Sequence, residues 1–396
     1  MAAGQVIGQA AGYVSAPVHA PAAGVVKAIE NVPSLTGRPA QTIEIEPDGS
    51  DRRDNLLAPI PDWQAADPRR LVERVTAAGI VGMGGAGFPT AVKLSPPEGK
   101  HIDLLILNGA ECEPYLTSDH RLMVEQPERI ATGADIIRRA LGAKAVRLGI
   151  EENKPDAIRA LEKALSALDG DVEIAVLRTQ YPQGAEKQLI YSISGREVPL
   201  GGLPMDVGAV VENVATAAAV AAAVVDGTPL THRIVTVTGG GVRSPSNLLA
   251  PIGTPLRDLV AHCGGLTAAS GKVICGGPMM GIAQPGLDAG MTKTTSGLLL
   301  QPTSERRCFE STPCIACGRC VSACPMRLLP CTLGECVEAE DYAGAEAYDV
   351  LACIECGCCA YECPAHRPLT QFMKQGKAKV TLIRKHREAQ AKAAKG

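Results

Sequence analysis

Aromatic residues make up only 3% of this 396-residue chain, with one Trp and three Phe. That scarcity argues against a surface for stacking bases or sugar rings. A marked excess of either charge is absent too. Lys and Arg total 39 against 42 Asp and Glu, and a net charge of -3 leaves no electrostatic footprint for nucleic acid. Long hydrophobic runs are missing. The most apolar stretch, Val214 to Val225, has twelve residues, too few to span a bilayer and suited to a buried helix. The opening MAAGQVIGQAAGYVSAP has no Lys or Arg and no extended apolar core, so a signal peptide is not expected there. The remaining composition, 46% hydrophobic and 20% charged, is that of a globular protein with room for two to four domains.

Cysteine is abundant, with 15 residues, and its spacing is the strongest signal in the chain. Cys314, Cys317, Cys320 and Cys324 precede Pro325; Cys353, Cys356, Cys359 and Cys363 precede Pro364. Both runs read C-x2-C-x2-C-x3-C-P, offset by 39 positions. This is the spacing of bacterial ferredoxins, in which three close thiolates hold one [4Fe–4S] cluster and the fourth reaches to the other. Cys314, Cys317, Cys320 and Cys363 are therefore expected on one cluster, and Cys353, Cys356, Cys359 and Cys324 on the second. Zinc knuckles also use C-x2-C pairs, but they do not use a third cysteine at the same interval followed by x3-C-P. A disulfide framework does not suit so large a chain, and so many thiols imply a reducing compartment. Cys112, Cys263, Cys275, Cys308, Cys331, Cys336 and Cys358 lie outside the ligand sets and are expected mostly as small buried hydrophobes.

The rest of the chain divides by pattern. Residues 1–50 alternate short Val/Ile runs with Gly and Pro, as in a small β module. Residues 51–70 read as a Pro- and Asp-rich connector. From 71 to 230 strands and helices alternate: strand 102–108, helix 127–142, strand 145–151, helix 154–168 and strand 172–178, the pattern of a parallel α/β sheet. Residues 231–300 return to strands and turns with one short helix. Residues 301–373 hold the cysteine runs with a helical insert near 337–351, and 374–396 form a basic tail suited to a solvated helix or an acidic partner surface.

Within 71–230 the loop Gly82-Met83-Gly84-Gly85-Ala86-Gly87-Phe88-Pro89 lacks the side chains that would keep backbone N–H groups from a phosphate. It is neither a P-loop nor a clean G-x-G-x-x-G, and alone it is a weak signal. The strand ending at Asn108 runs into Gly109-Ala110-Glu111-Cys112-Glu113-Pro114, acids placed where α/β sheets bind ligands. Tyr181 to Lys187 form a further Gly-bearing turn. Asn213 and Thr216 open the Ala-rich helix, where a phosphate contact is reasonable.

GAGFPTAVK, NGAECEP, YPQGAEKQLI and VENVATA together resemble signature segments of the NADH- and FMN-binding flavoprotein subunit of respiratory complex I. Carried over residue by residue, the resemblance implies an FMN and nucleotide site at Gly84, Gly85, Gly87, Phe88, Lys93, Asn108, Glu111, Glu113, Tyr181, Gly184, Glu186, Asn213 and Thr216. Lys93 offsets cofactor charge in this reading and Glu113 orients NAD(H). Ala110, Ala185 and Pro96 stand where that family carries an acid, a glutamate and an aromatic. Residues 1–50 resemble lipoyl/biotinyl-type barrel-sandwich modules, without a lysine in a carrier hairpin and with His19 read as structural. Residues 231–300 resemble the soluble-ligand-binding β-grasp module.

This module order, with YPQGAEKQLIYSISGREVPLGGLP and CIACGRCVSACP, resembles the RnfC family of Rnf electron transport complexes over essentially the whole chain. The N-terminus begins inside what resembles the barrel-sandwich module. The fold class implied is multidomain α/β with a C-terminal helical double-[4Fe–4S] ferredoxin domain. The resemblance implies a peripheral subunit on the cytoplasmic side of the inner membrane. It would pass electrons between NAD(H) and ferredoxin with integral-membrane and ferredoxin-like partner subunits, coupled to ion translocation. Two other readings share these residues: an NADH-dependent cobalamin reductase, and a wiring subunit with a degenerate nucleotide site.

Overall fold

The computed structural model describes residues 1–54, 57–268 and 270–393. Three expected segments thus extend beyond it in part: the connector at 55–56, the β-grasp module at 269 and the tail at 394–396. The chain forms two compact units. One comprises Met1–Val198 and Leu203–Arg306; the other comprises Pro199–Gly202 and Arg307–Gly396.

The first unit opens with two antiparallel pairs, β1 (Val6–Gly8) with β2 (Val18–His19) and β3 (Gly24–Pro33) with β4 (Pro39–Pro47). Leu35, in the turn of the second pair, joins the buried core that also holds Val235 and Leu256. His19 is buried, and burial together with nearby Lys293 lowers its pKa to about 4, which keeps the ring neutral. The structural role expected of it fits that state.

Next come the helices α1 (Pro68–Ala77) and α2 (Thr90–Lys93), then β5 (Leu104–Asn108), α3 (Ser118–Glu125), α4 (Pro127–Leu141), β6 (Ala145–Glu151), α5 (Pro155–Leu165), β7 (Asp171–Leu177), α6 (Glu186–Ser194), β8 (Ala209–Asn213) and α7 (Val214–Val225). The strands form one parallel sheet in the order β7-β6-β5-β8. Alternation along β5 sends Leu105 and Leu107 to the core containing Ile136, Val210 and Val220, and Leu104 and Ile106 to the core of Leu189, Ile190 and Val211. Both faces are covered, as parallel sheets require. At one crossing a glycine is obligatory: a Cβ on Gly133 of α4 would lie 1.9 Å from the Ala217 carbonyl of α7.

The third module contains β9 (His232–Thr238), β10 (Ser246–Pro251), α8 (Leu256–His262), β11 (Ser270–Cys275), β12 (Ile282–Gln284) and β13 (Gly297–Pro302). Its sheet runs β10-β9-β13-β11-β12, with β13 parallel to β9 and the other pairs antiparallel. Leu256, Leu259 and Val260 of the helix pack on Val235, Val237, Leu298 and Leu300.

The second unit is helical: α9 (Arg319–Ser322), α10 (Pro330–Glu338), α11 (Tyr342–Ala347), α12 (Cys358–Tyr361) and α13 (Leu369–Ala393). Leu333, Val337, Ala345, Val350, Met373 and Val380 make its core. The basic segment expected from 374 belongs to the helix α13. The helix α13 runs through that boundary, because Gly376 and Val380 lie in the core and only the later turns are exposed. Lys377 even turns back into the unit, with Nζ 2.7 Å from the Cys353 carbonyl and 2.6 Å from Glu355 Oε1. The unused cysteines are also less buried than expected: Cys263 is buried, Cys308 is exposed, and Cys112, Cys275, Cys331, Cys336 and Cys358 are half-buried. Among the described residues no helix is long and apolar enough to cross a membrane.

Candidate functional site

The order β7-β6-β5-β8 reverses direction between β5 and β8, and connections leaving the two strands diverge there to open a crevice. Asn108 and Asn213 are register partners at the two strand ends. Asn213 also caps α7, its Oδ1 accepting from the Ala215 N–H at 2.9 Å, while its Nδ2 donates to Asp119 at 2.6 Å. The positive end of a three-turn helix therefore opens at the switch point, a setting that favours anions.

The glycine loop is tied to this helix. The Met83 N–H donates to the buried Thr216 hydroxyl at 2.9 Å, and Gly84 faces Asn213 so closely that a Cβ would sit 3.4 Å away. Gly85 and Gly87 have φ of 117° and 65°, values that disfavour side chains. A Cβ on Gly87 would also strike the Thr294 methyl at 2.6 Å, whereas one on Gly85 would meet open space. Among the described residues the N–H groups of Gly84, Gly85 and Ala86 find no acceptor. Phe88, 38% exposed, lines an open depression with Val14, Val18, Pro89 and Lys293.

Lys93 ends α2 with Nζ 3.1 Å from Glu186 Oε1 and 2.8 Å from the Val211 carbonyl. Burial alone would lower its pKa, but Glu212 and Glu186 hold it raised. Glu212, inside the apolar run of β8, is buried, and neither of its oxygens has a hydrogen-bond partner. Burial raises its pKa to about 7, opposed by Lys93 and assisted by Glu186. Sequence reasoning missed Glu212; a lone carboxylate in the strand AVVEN was the available signal.

The acids after β5 are committed to backbone. Glu111, at φ 44°, accepts from the N–H groups of Asp119 (2.8 Å) and His120 (2.9 Å) at the start of α3. Burial and the nearby Asp119 push its pKa up to about 8 against those donors. Glu113 reaches the third module, accepting from the N–H groups of Met280 (2.7 Å) and Met279 (3.2 Å), and burial raises its pKa. The buried Lys154 Nζ supports the intervening loop through the Ala110 carbonyl at 2.8 Å. Asn108 Nδ2 donates to the Gly184 carbonyl at 2.8 Å, and the Gly184 N–H meets Cys112 Sγ at 3.3 Å, which joins this loop to the turn bearing Tyr181. Thus Gly84, Asn108, Gly184, Asn213 and Thr216 are linked directly around the strand ends, and Lys93 and Glu186 form a neighbouring pair. Glu111 and Glu113 hold the loops at the rim.

In the second unit the two cysteine runs share one backbone shape. Ala316 and Glu355, Gly318 and Gly357, and Arg327 and His366 are equivalent by the repeat, and all six have left-handed φ. The Ala316 and Glu355 N–H groups point at Cys314 Sγ (3.4 Å) and Cys353 Sγ (3.3 Å). Such donors stabilise thiolate ligands and tune cluster potential. A small pocket is lined by Cys324 of the first run and Cys353, Cys356 and Cys359 of the second. Among the described residues no three His, Cys, Asp or Glu side chains converge on one ion. A cubane would require one thiolate per iron around a core, and four cysteines line this pocket.

The backbone cradle, the helix terminus and the amine of Lys93 make a crevice chemically suited to a phosphate-bearing flavin. Residues 75–222 match the profile of the Nuo51 FMN-binding domain, so this region is a complex I-type FMN-binding domain. Residues 1–50 match the RnfC barrel sandwich hybrid domain and 234–283 the SLBB domain. The RnfC-type component of the Na(+)-translocating ferredoxin:NAD(+) oxidoreductase complex of Acetobacterium woodii is 44% identical over 84% of this chain and 75% of that protein. Its counterpart in the proton-translocating ferredoxin:NAD(+) oxidoreductase complex of Clostridium ljungdahlii is 45% identical over 94% of this chain and 81% of that protein. The counterpart in the ion-translocating oxidoreductase complex of Rhodobacter capsulatus is 47% identical over 96% and 73%. The chain belongs to this RnfC family of ion-translocating oxidoreductase complexes. The NAD+-reducing [NiFe]-hydrogenase in its H2-reduced state shares the fold, with TM-score 0.56 and 24% identity over 79% of this chain and 63% of that one.

Proposed function

We propose that this protein exchanges electrons with NAD(H) at the β5–β8 crevice and carries them singly through two [4Fe–4S] clusters toward ferredoxin. It would do so as a peripheral component on the cytoplasmic side of a membrane complex that moves ions. The observation that carries the proposal is the convergence of the glycine loop, Asn108 and Asn213 at the switch point of a parallel sheet. Bound FMN would supply the conversion between electron pairs and single electrons. The N–H groups of Gly84, Gly85 and Ala86 and the start of α7 would hold its phosphate. Lys93 supplies positive charge as one partner of an ion pair. Glu113 acts by positioning, since its carboxylate fixes the turn at 279–280 against the rim. Hydride transfer to or from the nucleotide would need that geometry more than a general acid or base.

Cys353, Cys356, Cys359 and Cys324 would hold one cluster, which the shared pocket supports. Cys314, Cys317, Cys320 and Cys363 would hold the other by the repeat. The test is an anaerobic NADH titration of the full chain reconstituted with iron, sulfide and FMN, followed by absorbance and EPR. Flavin bleaching succeeded by a reduced-cluster signal is expected. Iron and sulfide without retained FMN would replace this reading with that of a wiring subunit.

A further inference from the structure

Glu212 has no part in the roles assigned above. It lies on the edge strand β8, 1% exposed, and both carboxylate oxygens lack donors. The charged groups that face it are Lys93 of α2 and Glu186 of α6. Its register partner on β5 is Leu107, which offers no charge. Lys93 spends its hydrogen bonds on Glu186 and the Val211 carbonyl, not on Glu212. One cation is thus shared between two carboxylates. With both ionised the cluster is net negative, and an uncompensated buried charge is costly. A phosphate-bearing cofactor brought beside it would add to that cost.

We propose that FMN binding to this protein is proton-linked, with Glu212 as the residue that takes up the proton. The inference rests on the reading of the crevice as the FMN site. A proton from solvent forms an O–H bond on the Glu212 carboxylate as FMN enters; no electrons move and nothing leaves. The protonated group neutralises the Lys93–Glu186–Glu212 cluster and gains a donor. Burial already raises the Glu212 pKa to about 7, so a nearby anion moves it further upward through neutral pH. The sign follows. Affinity is greatest where Glu212 is already protonated, and it weakens as pH rises above about 7. Glu111, Glu113 and Asp119 are the other carboxyls around the crevice with raised pKa values, and Glu113 already accepts from the Met279 and Met280 N–H groups. Glu111 is already satisfied by backbone donors and Asp119 by the Asn213 amide, so neither needs a new proton to accept the cofactor.

The test uses the full chain with FMN alone as the probe. Calorimetry near about pH 7.5 in two buffers of different ionisation enthalpy counts protons, and fluorescence titration from about pH 6.5 to 8.5 gives affinity. The FMN phosphate ionises for the second time near about pH 6 and contributes little in that window. Wild type should take up at most about three-quarters of a proton per FMN at about pH 7.5 and lose up to about tenfold in affinity per pH unit above neutrality. Glu212→Gln should bind FMN with that uptake abolished and a flat pH profile. A binding enthalpy independent of buffer in wild type overturns the proposal without any variant. Undiminished uptake in Glu212→Gln overturns it as well. Wild type that retains no FMN at any pH overturns both the proposal and the flavin reading beneath it.

Discussion

The two units solve the problem of presenting a cofactor site in opposite ways. In the first, a parallel sheet with both faces covered fixes Asn108 and Asn213 before any ligand arrives, and loops are tied to it by hydrogen bonds such as Met83 to Thr216. In the second, six buried apolar side chains form the core and most of the cysteine-bearing segments are loops and single helical turns. Small cores of that kind rarely sustain a fold without added cross-links. On the proposed reading the flavin crevice is a property of the scaffold, whereas the cluster sites would be part of the scaffold.

The sharpest way to break this comparison is to remove iron. Anaerobic chelation should unfold much of 307–393 while 1–198 and 203–306 stay folded, because structural metals contribute about 10 kcal/mol to small domains that depend on them. Limited proteolysis with mass spectrometry would read it. A cysteine unit as protease-resistant without iron as with it would show that its apolar core suffices. A smaller effect is expected at Gly87 in the first unit. Gly87→Val places a side chain at φ 65° and against the Thr294 methyl, a backbone cost of about 1–2 kcal/mol before the clash. FMN affinity should fall by at least about tenfold, with the thermal midpoint of the cluster unit unmoved. Thr294→Ala in the same chain should recover part of the loss. Full affinity in Gly87→Val alone would mean the loop does not cradle the cofactor.

Much of this contrast was legible in the sequence, and the reason is local periodicity. The buried run from Val214 to Val225 is the helix α7, and the strand expected at 145–151 is β6, because each pattern is contained in its own segment. The cysteine spacing is equally local, and its repeat is visible in the paired left-handed residues of the two runs. What escaped notice depends on residues far apart in the chain. Thr294 limits Gly87, Lys377 returns to Cys353, and Glu113 serves the turn at Met279 and Met280; none of these leaves a mark near the residue it constrains. The helix α13 hid its inward face because Gly376 and Val380 are surrounded by lysines. Glu212 leaves no periodic signal of its own, since a single acid in a strand has no period to break.

Glu113 sharpens the comparison from the rim. Glu113→Ala removes the acceptor from the Met279 and Met280 N–H groups, and hydrogen bonds to a charged acceptor contribute about 1.5–3 kcal/mol. NADH-dependent flavin reduction should slow by about tenfold, while FMN content and both cluster signals persist. The same variant tests which role the carboxylate has. Glu113→Gln keeps an acceptor oxygen for the turn, so a positioning residue should be largely rescued by Gln, whereas a group that needs its charge at the nucleotide should not. Stopped-flow absorbance would separate the two.

The smallest effect is expected on the exposed turns of α13, where the cluster unit carries ion pairs that contribute little to its fold. Arg384 lies 2.5 Å from Glu346, with Arg387 3.0 Å from the same carboxylate. The two arginines compete for one acid, both remain more than half exposed, and water screens them. Arg384→Ala should therefore shift stability by less than about 1 kcal/mol, since Arg387 keeps the pair formed and the buried contacts of Met373 and Val380 are untouched. Chemical denaturation of the iron-loaded chain reads that difference directly. A loss several times larger would mean that the outer turns of α13 help hold the cysteine unit together, and the dependence on clusters argued above would have to be shared with this helix.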